Sequence, residues 1–216
     1  MPKILSTGAL RREYNSGQLL EADMNSDPFE QFKIWLQEAI AYPVHSPDAV
    51  TIATVTPEGT PDARIVLLKD LDQSSLTFFT NYESPTGQQL KKNPHAACVF
   101  WWPEQERQIR IRGFVEPVTK QTSDDYFKSR PRGSQLAAHA SSQSEVILSR
   151  DWLDQQLANV SKSFENKDVA RPPHWGGYRI APHTFEFWQG RANRLHDRLR
   201  YRLEEDKVWI LERLAP

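Results

Sequence analysis

The sequence predicts a mostly β fold, an antiparallel barrel with helices at its periphery, and three observations carry that prediction. Short segments rich in β-branched and aromatic residues succeed one another between residues 49 and 115 and return after residue 175. Tight-turn residues such as Pro57-Glu58-Gly59 join them. The helical patterns are inserted between strands and do not alternate with them, so a doubly wound parallel sheet is excluded.

The first 26 residues are polar and without sustained periodicity, and they read as a mobile arm that orders only against something else. Asp27 as N-cap and Pro28 at the first helical position then open a helix. Phe29, Phe32, Trp35, Leu36, Ala39 and Ile40 recur at helical spacing, which gives that helix one core-facing side, and Pro43 and Pro47 end it. Strands follow at 50–56, 63–69 and 76–80. After a short helix at 84–93, stopped by Asn93-Pro94, further strands run over 96–102 and 108–115. The 96–102 segment is continuously apolar, which predicts burial on both faces or at an interface. In 108–115, Ile109, Ile111 and Val115 face one way, and Gln108, Arg110, Arg112 and Phe114 the other. Residues 120–170 turn helical. Thr122 or Ser123 caps a segment that Arg130-Pro131-Arg132-Gly133 breaks, and a longer helix covers 149–164. After Arg171-Pro172-Pro173, strands return at 178–180, 184–188, 198–203 and 208–214.

Composition narrows the function. With 27 Lys+Arg against 28 Asp+Glu the net charge is -1, which argues against a bulk nucleic-acid binder. The one cysteine, Cys98, excludes an internal disulfide framework and a cysteine-based zinc cluster, and it sits in an apolar strand as a small core residue. Six histidines show none of the close spacings of zinc ligands. No apolar run reaches the roughly 18 to 20 residues that span a bilayer. The start has no apolar block of a secretory signal, so a cytoplasmic protein is expected. GxGxxG, GxxxxGK[ST], HExxH and GxSxG are all absent.

What remains is a set of cations beside aromatics. Arg64 and Lys69 bracket an apolar strand, either as solvated ends or as contacts to an anionic ligand lying along it. Tyr126 and Arg130 lie four apart on one helix face with Ser134 after a break. That set suits a phosphate monoester, or equally a helix end decorated by cations that favour its dipole. On a strand, Arg194, His196 and Arg198 would share one face, which an interposed anion explains better than a solvated surface does. Arg11-Arg12-Glu13-Tyr14 is a further cluster of the kind usually solvated.

In order along the chain, RREY at 11–14, RIVLLK at 64–69, SRPRGSQ at 129–135, FWQG at 187–190 and RLHDR at 194–198 resemble the pyridoxine 5′-phosphate oxidase family, from Arg11 to the terminal Leu214-Ala215-Pro216. The resemblance implies an FMN-binding split β-barrel, mostly β with peripheral helices, working as a homodimer with FMN at the subunit interface. Residues 1–26 would be an arm or lid and 27–216 a single domain with a helical insertion at about 120–170. It implies oxidation of pyridoxine or pyridoxamine 5′-phosphate to pyridoxal 5′-phosphate, with dioxygen reoxidising the flavin to give hydrogen peroxide.

By the same resemblance, Arg64, Ile65, Val66, Leu67, Leu68 and Lys69 line the FMN, and Phe79, Thr80, Gln108, Gln143, Ser144, Trp188 and Arg198 complete its site. Lys69, Tyr126, Arg130 and Ser134 hold the substrate phosphate. Arg194, Leu195 and His196 belong to the substrate site, with Arg194 and His196 flanking the pyridine ring as the catalytic pair, and Arg11, Arg12, Glu13 and Tyr14 close over it. One departure stands out. Where the family has Arg-Lys before Gly87, this chain has Pro85-Thr86. Losing two charged hydrogen bonds predicts FMN affinity weaker on the order of 100-fold, although free amides at the helix start and the Thr86 hydroxyl can still meet a phosphate. The alternatives are a non-catalytic binder of B6-vitamer phosphates and a β-barrel nucleic-acid module that stacks bases on Trp101 and Trp102.

Overall fold

The computed structural model describes residues 13–14 and 17–216. The described chain has five α-helices and nine β-strands. In chain order they are α1 (Pro28–Ala41), β1 (Ala49–Val55), β2 (Pro61–Leu67), β3 (Asp70–Leu71), β4 (Leu76–Asn81), α2 (Pro85–Lys92), β5 (His95–Trp102) and β6 (Arg107–Pro117). Then come α3 (Lys120–Ser129), α4 (Arg132–Ala140), α5 (Arg150–Ser163), β7 (Trp175–Gln189), β8 (Asp197–Leu203) and β9 (Trp209–Arg213). The sheet order is β2-β1-β5-β6-β7-β4-β3, with β8 pairing β7 and β9. The β1/β2, β1/β5, β3/β4, β4/β7, β7/β8 and β8/β9 ladders are all antiparallel. The described residues pack as two compact units, one of Asp48–Val99 with Ile111–His183, the other of the described residues up to Pro47 with Phe100–Arg110 and Thr184–Pro216.

In the second of these, Asp27 caps α1 by accepting from the Phe29 amide, with Pro28 in the first turn. The buried stripe is Phe29, Phe32, Trp35 and Ala39, whereas Ile40, expected on it, is 64% exposed. Phe32 meets Phe100 at 5.0 Å between ring centroids, and Phe29 and Trp35 each meet a β7 phenylalanine edge-on at 5.1 Å. Arg213 donates to Glu21 and to the Leu19 carbonyl, and Asp197 accepts from the Leu19 amide at 3.0 Å, so the segment before α1 is tied to β8 and β9.

The other unit is built on β1 and β2, in full register from Ala49↔Leu67 to Val55↔Pro61. On α2, Ser84 accepts from the Gly87 amide and Pro85 occupies the first turn. A Cβ on Gly87 would lie 2.2 Å from the Tyr82 carbonyl oxygen, so only glycine lets this helix start so close to the preceding turn.

Four expectations change. β5 buries Ala96, Cys98, Phe100 and Trp102 but leaves Trp101 44% exposed, so within the chain it buries one face and not two. The cap of α3 is Thr119, accepting from the Thr122 amide, because the helix begins at Lys120. Pro131-Arg132-Gly133 does not only break a helix; it also starts α4, with Pro131 at the cap position. The strands expected at 178–180 and 184–188 are one strand, β7. It pairs β4 up to Ile180 and β8 from Thr184, and Pro182 falls in the gap between those two ladders.

Candidate active site

A cleft of about 390 Å³ opens within the unit that holds β1 and β2, lined by twelve residues. Of the flavin set, Arg64, Ile65, Val66, Leu67, Lys69, Phe79, Thr80 and Gln143 line it, and so do Tyr126 and Arg130 from the substrate-phosphate set. Thr86 and Trp175 line it as well. Leu68 turns into the core, its amide donating to the Asp48 carbonyl at 2.8 Å, while Ser134 on α4 and the exposed Ser144 (φ 73°) are outside the lining.

Because β2 ends the sheet order and its side chains alternate, Asp62, Arg64 and Val66 share one face while Ile65 and Leu67 share the other. The Arg64 guanidinium donates through Nη1 to Thr54 Oγ1 and through Nη2 to Asp62 Oδ2 and Gln89 Oε1. Lys69 pairs with Asp48 at 3.0 Å. Arg130 differs, since its Nη1 is buried with no hydrogen-bond partner. Its guanidinium lies 4.4 Å over the Trp175 ring, and burial lowers its pKa from the usual arginine value.

Trp175, Phe79 and Tyr126 stack in near-parallel planes, with 3.8 Å between the Phe79 and Tyr126 centroids. A side chain on Gly177 would strike Phe79, so this glycine makes room for the stack, whereas one on Gly176 would strike Tyr82. That glycine pair was the available signal for Trp175, which the motif reading missed. Gln143 donates to Thr80 Oγ1 at 3.4 Å. At the start of α2, Thr86 is buried, and its amide belongs to the first-turn donors that a helix leaves without an internal acceptor.

The second cluster lies in the unit that holds α1. Trp188 and His196 rings are 4.7 Å apart, and Tyr14 meets both edge-on at 5.6 and 5.4 Å. Gly190 allows this, because a Cβ there would come within 2.7 Å of the Tyr14 ring. The Arg191 amide donates to His196 Nδ1 at 3.0 Å, so a neutral His196 carries its proton on Nε2 and presents a donor there. Arg194 is exposed, in a 3-10 turn (Ala192–Arg194) where Asn193 and Arg194 both have positive φ, 56° and 62°. The shared strand face expected for Arg194, His196 and Arg198 is therefore not formed, because β8 begins only at Asp197. Leu195 is 69% exposed. Arg198 donates to Glu186, which also accepts from Arg110, so the repulsion inferred from sequence is relieved by a carboxylate of the protein. Gln108 lies on β6 in this same unit. Glu13 is exposed, and Arg11 and Arg12 are outside the described residues.

Cys98 is fully buried and its thiol is pushed up to about 12, which suits a packing role and no nucleophilic one. Among the described residues no group of three or more His, Cys, Asp or Glu could hold a metal, and no helix is long and apolar enough to cross a membrane.

Antiparallel topology and this cleft define a class, the split-barrel proteins. Residues 36–164 match the family model described as pyridoxamine 5′-phosphate oxidase, and residues 175–216 match the pyridoxine 5′-phosphate oxidase C-terminal dimerisation region. A pyridoxine/pyridoxamine 5′-phosphate oxidase of Acaryochloris marina is 52% identical over 215 residues, covering 100% of this chain and 98% of that protein. One of Trichormus variabilis is 51% identical over 207 residues, covering 96% and 97%. Among solved structures, PhzG of Burkholderia lata in complex with tetrahydrophenazine-1-carboxylic acid has a TM-score of 0.87 at 30% identity, covering 94% of this chain and 100% of that one. A pyridoxamine 5′-phosphate oxidase-related, FMN-binding protein from Nostoc punctiforme has the same fold, with a TM-score of 0.71 at 15% identity over 90% of this chain and 99% of that one. The chain belongs to the pyridoxamine 5′-phosphate oxidase family of oxidoreductases.

Proposed function

We propose that the chain oxidises pyridoxine 5′-phosphate or pyridoxamine 5′-phosphate to pyridoxal 5′-phosphate, with FMN as cofactor and dioxygen as final acceptor, releasing hydrogen peroxide. The observation that carries this reading is Arg130, whose half-buried guanidinium has its Nη1 buried without a protein acceptor, in a cleft that a chain of this family lines with Lys69, Tyr126 and Arg64. A buried charge left unpaired is costly unless a ligand completes it, and a phosphate fits that donor. Bound FMN supplies the two-electron oxidation and hands the electrons to dioxygen.

The protein's own share is binding and orientation. Arg130, Lys69 and Tyr126 hold the substrate phosphate, with Ser134 as a further contact. Arg64 and the first-turn amides of α2 meet the cofactor phosphate, and residues 64–69 with Phe79, Thr80 and Gln143 take the ring system, aided by Ser144, Gln108, Trp188 and Arg198. His196 donates from Nε2 to the substrate, and Arg194 beside it stabilises the pyridine during loss of the C4′ hydrogen. Tyr14 already packs on Trp188 and His196, which supports a role for residues 11–14 as a lid that excludes water. The working form is a homodimer, for which the match of residues 175–216 to a dimerisation region is the support.

The test is an absorption spectrum of the purified protein during FMN titration, followed by addition of pyridoxine 5′-phosphate in air. A retained flavin band with formation of pyridoxal phosphate and peroxide is the expected result. A protein that binds the vitamer phosphates yet stays colourless at saturating FMN would replace the oxidase reading by the non-catalytic binder, which the Pro85-Thr86 departure favours.

A further inference from the structure

Arg64 is placed to meet a phosphate but has no terminal N–H left to give. Nη1 donates to Thr54 Oγ1 and to the Ile52 carbonyl at 3.5 Å, and Nη2 donates to Asp62 Oδ2 and to Gln89 Oε1 at 3.2 Å. A guanidinium carries four terminal N–H bonds, so the fork is filled by acceptors of the protein itself. The network is closed on the protein side too. Gln89 Nε2 donates to the same Asp62 Oδ2 at 2.9 Å, and the buried Thr54 hydroxyl donates to Gln89 Oε1. Arg130, in the same cleft, has an unpartnered Nη1 instead.

Charge follows the same division. Arg64 is neutralised by Asp62 and Lys69 by Asp48, whereas Arg130 has no carboxylate partner among the described residues. The hydrogen bond from Gln89, opposed by partial burial and helped by Arg64, holds the Asp62 carboxyl below its usual value, so it is ionised at neutral pH.

We infer that Asp62 is a latch that withholds Arg64 from the cofactor phosphate, so that FMN binds only by displacing this carboxylate, and that Asp62 thereby sets how tightly the chain retains FMN. The inference rests on the reading that Arg64 faces the cofactor phosphate, and it deepens that reading. An incoming phosphate dianion has to take Arg64 donors from Asp62 and then lie beside a second anion. Asp62 shares a strand face with Arg64 two residues away, so the carboxylate cannot withdraw far without moving β2. Together with Pro85-Thr86, the latch makes two independent losses of positive field around one phosphate.

The experiment measures the FMN dissociation constant by quenching of flavin fluorescence for the full chain and for Asp62→Asn, Asp62→Ala and Arg64→Ala, with riboflavin as the phosphate-free control. The Asp62 side chain is 40% exposed on a strand that ends the sheet order, so both substitutions leave the core intact. Asn keeps an oxygen acceptor for Arg64 and Gln89 while removing the charge. Both Asp62 variants are expected to bind FMN about three- to tenfold more tightly than the parent chain, with riboflavin unchanged, because a partly exposed like charge is removed. Arg64→Ala is expected to weaken FMN binding at least as much. Equal or weaker FMN binding by Asp62→Asn and Asp62→Ala overturns the latch and makes Asp62 a carboxylate that aims Arg64 at its ligand. Wild-type FMN affinity in Arg64→Ala shows a different failure, that of the reading of Arg64 itself, and overturns the inference with it.

Discussion

Arg130 keeps a guanidinium nitrogen buried without an acceptor while its plane rests on Trp175, a residue that motif spacing alone does not bring to the cleft. Arg130→Met removes a half-buried cation that has one unpartnered buried nitrogen, and keeps much of the packing. It is expected to raise KM for pyridoxine 5′-phosphate about 10- to 100-fold while thermal stability holds or rises. Steady-state kinetics beside a melting curve checks both halves. Arg130→Lys is expected to recover little, since an ammonium lacks the planar fork that stacks on the indole. Most cleft residues were legible because they fall in contiguous motifs, RIVLLK above all. The partners of Arg64 were not, since Gln89 lies on α2, 25 residues further along the chain, and nothing in an isolated glutamine marks it.

The elements were legible where side-chain period and cap chemistry agree, as in α1 and α5, whose caps Asp27 and Ser149 both form. They were obscured where a proline carries two meanings. Pro131 reads as a stop but starts α4, and the break expected between 180 and 184, which contains Pro182, lies inside β7. Phe32, fully buried on α1 and packed on Phe100, is among the ring contacts that attach α1. Phe32→Ala is expected to cost about 3–5 kcal/mol in urea unfolding, with a well-folded Phe32→Leu as comparison. The segment before α1 has its own pH dependence. Hydrogen bonding to Arg213 lowers the exposed Glu21 carboxyl to about 2, below its ordinary value of 4.5. The folded-state pKa is depressed, so the tie is fully present above about pH 4.5 and is lost as the pH falls toward 2. Hydrogen-exchange protection at Leu19 and Met24 should fall across that window in the wild type. In Arg213→Ala it should be low at every pH.

At the scale of the whole molecule, Ile65 and Leu67 on β2 are 70% and 44% exposed beside the cleft. An apolar pair on a strand at the end of the sheet order is a liability in a lone chain, and a second subunit would remove it. Ile65→Glu is therefore expected to shift the protein from dimer to monomer in sedimentation and to weaken FMN retention. An unchanged dimer would place the interface elsewhere. The antiparallel architecture was legible because turns and alternation recur along the chain. The division into two units was not, since each is assembled from separated stretches, and only the packed fold shows which stretches belong together.

That assembly has a consequence for the order in which the protein is made. α1 is synthesised early, yet Trp209 on β9 packs near Phe29, and Arg213 fastens the segment that precedes α1. These residues are synthesised long after α1. A nascent chain therefore carries part of the apolar face of α1 uncovered until β7 and β9 have been made, and this unit closes late in synthesis. A message truncated before codon 209 would yield a chain that can still build the β1–β2 hairpin and lay α1 on Phe100 and β7, but would leave Phe29 without Trp209 and the segment before α1 without Arg213, which makes it a natural substrate for chaperones and proteases.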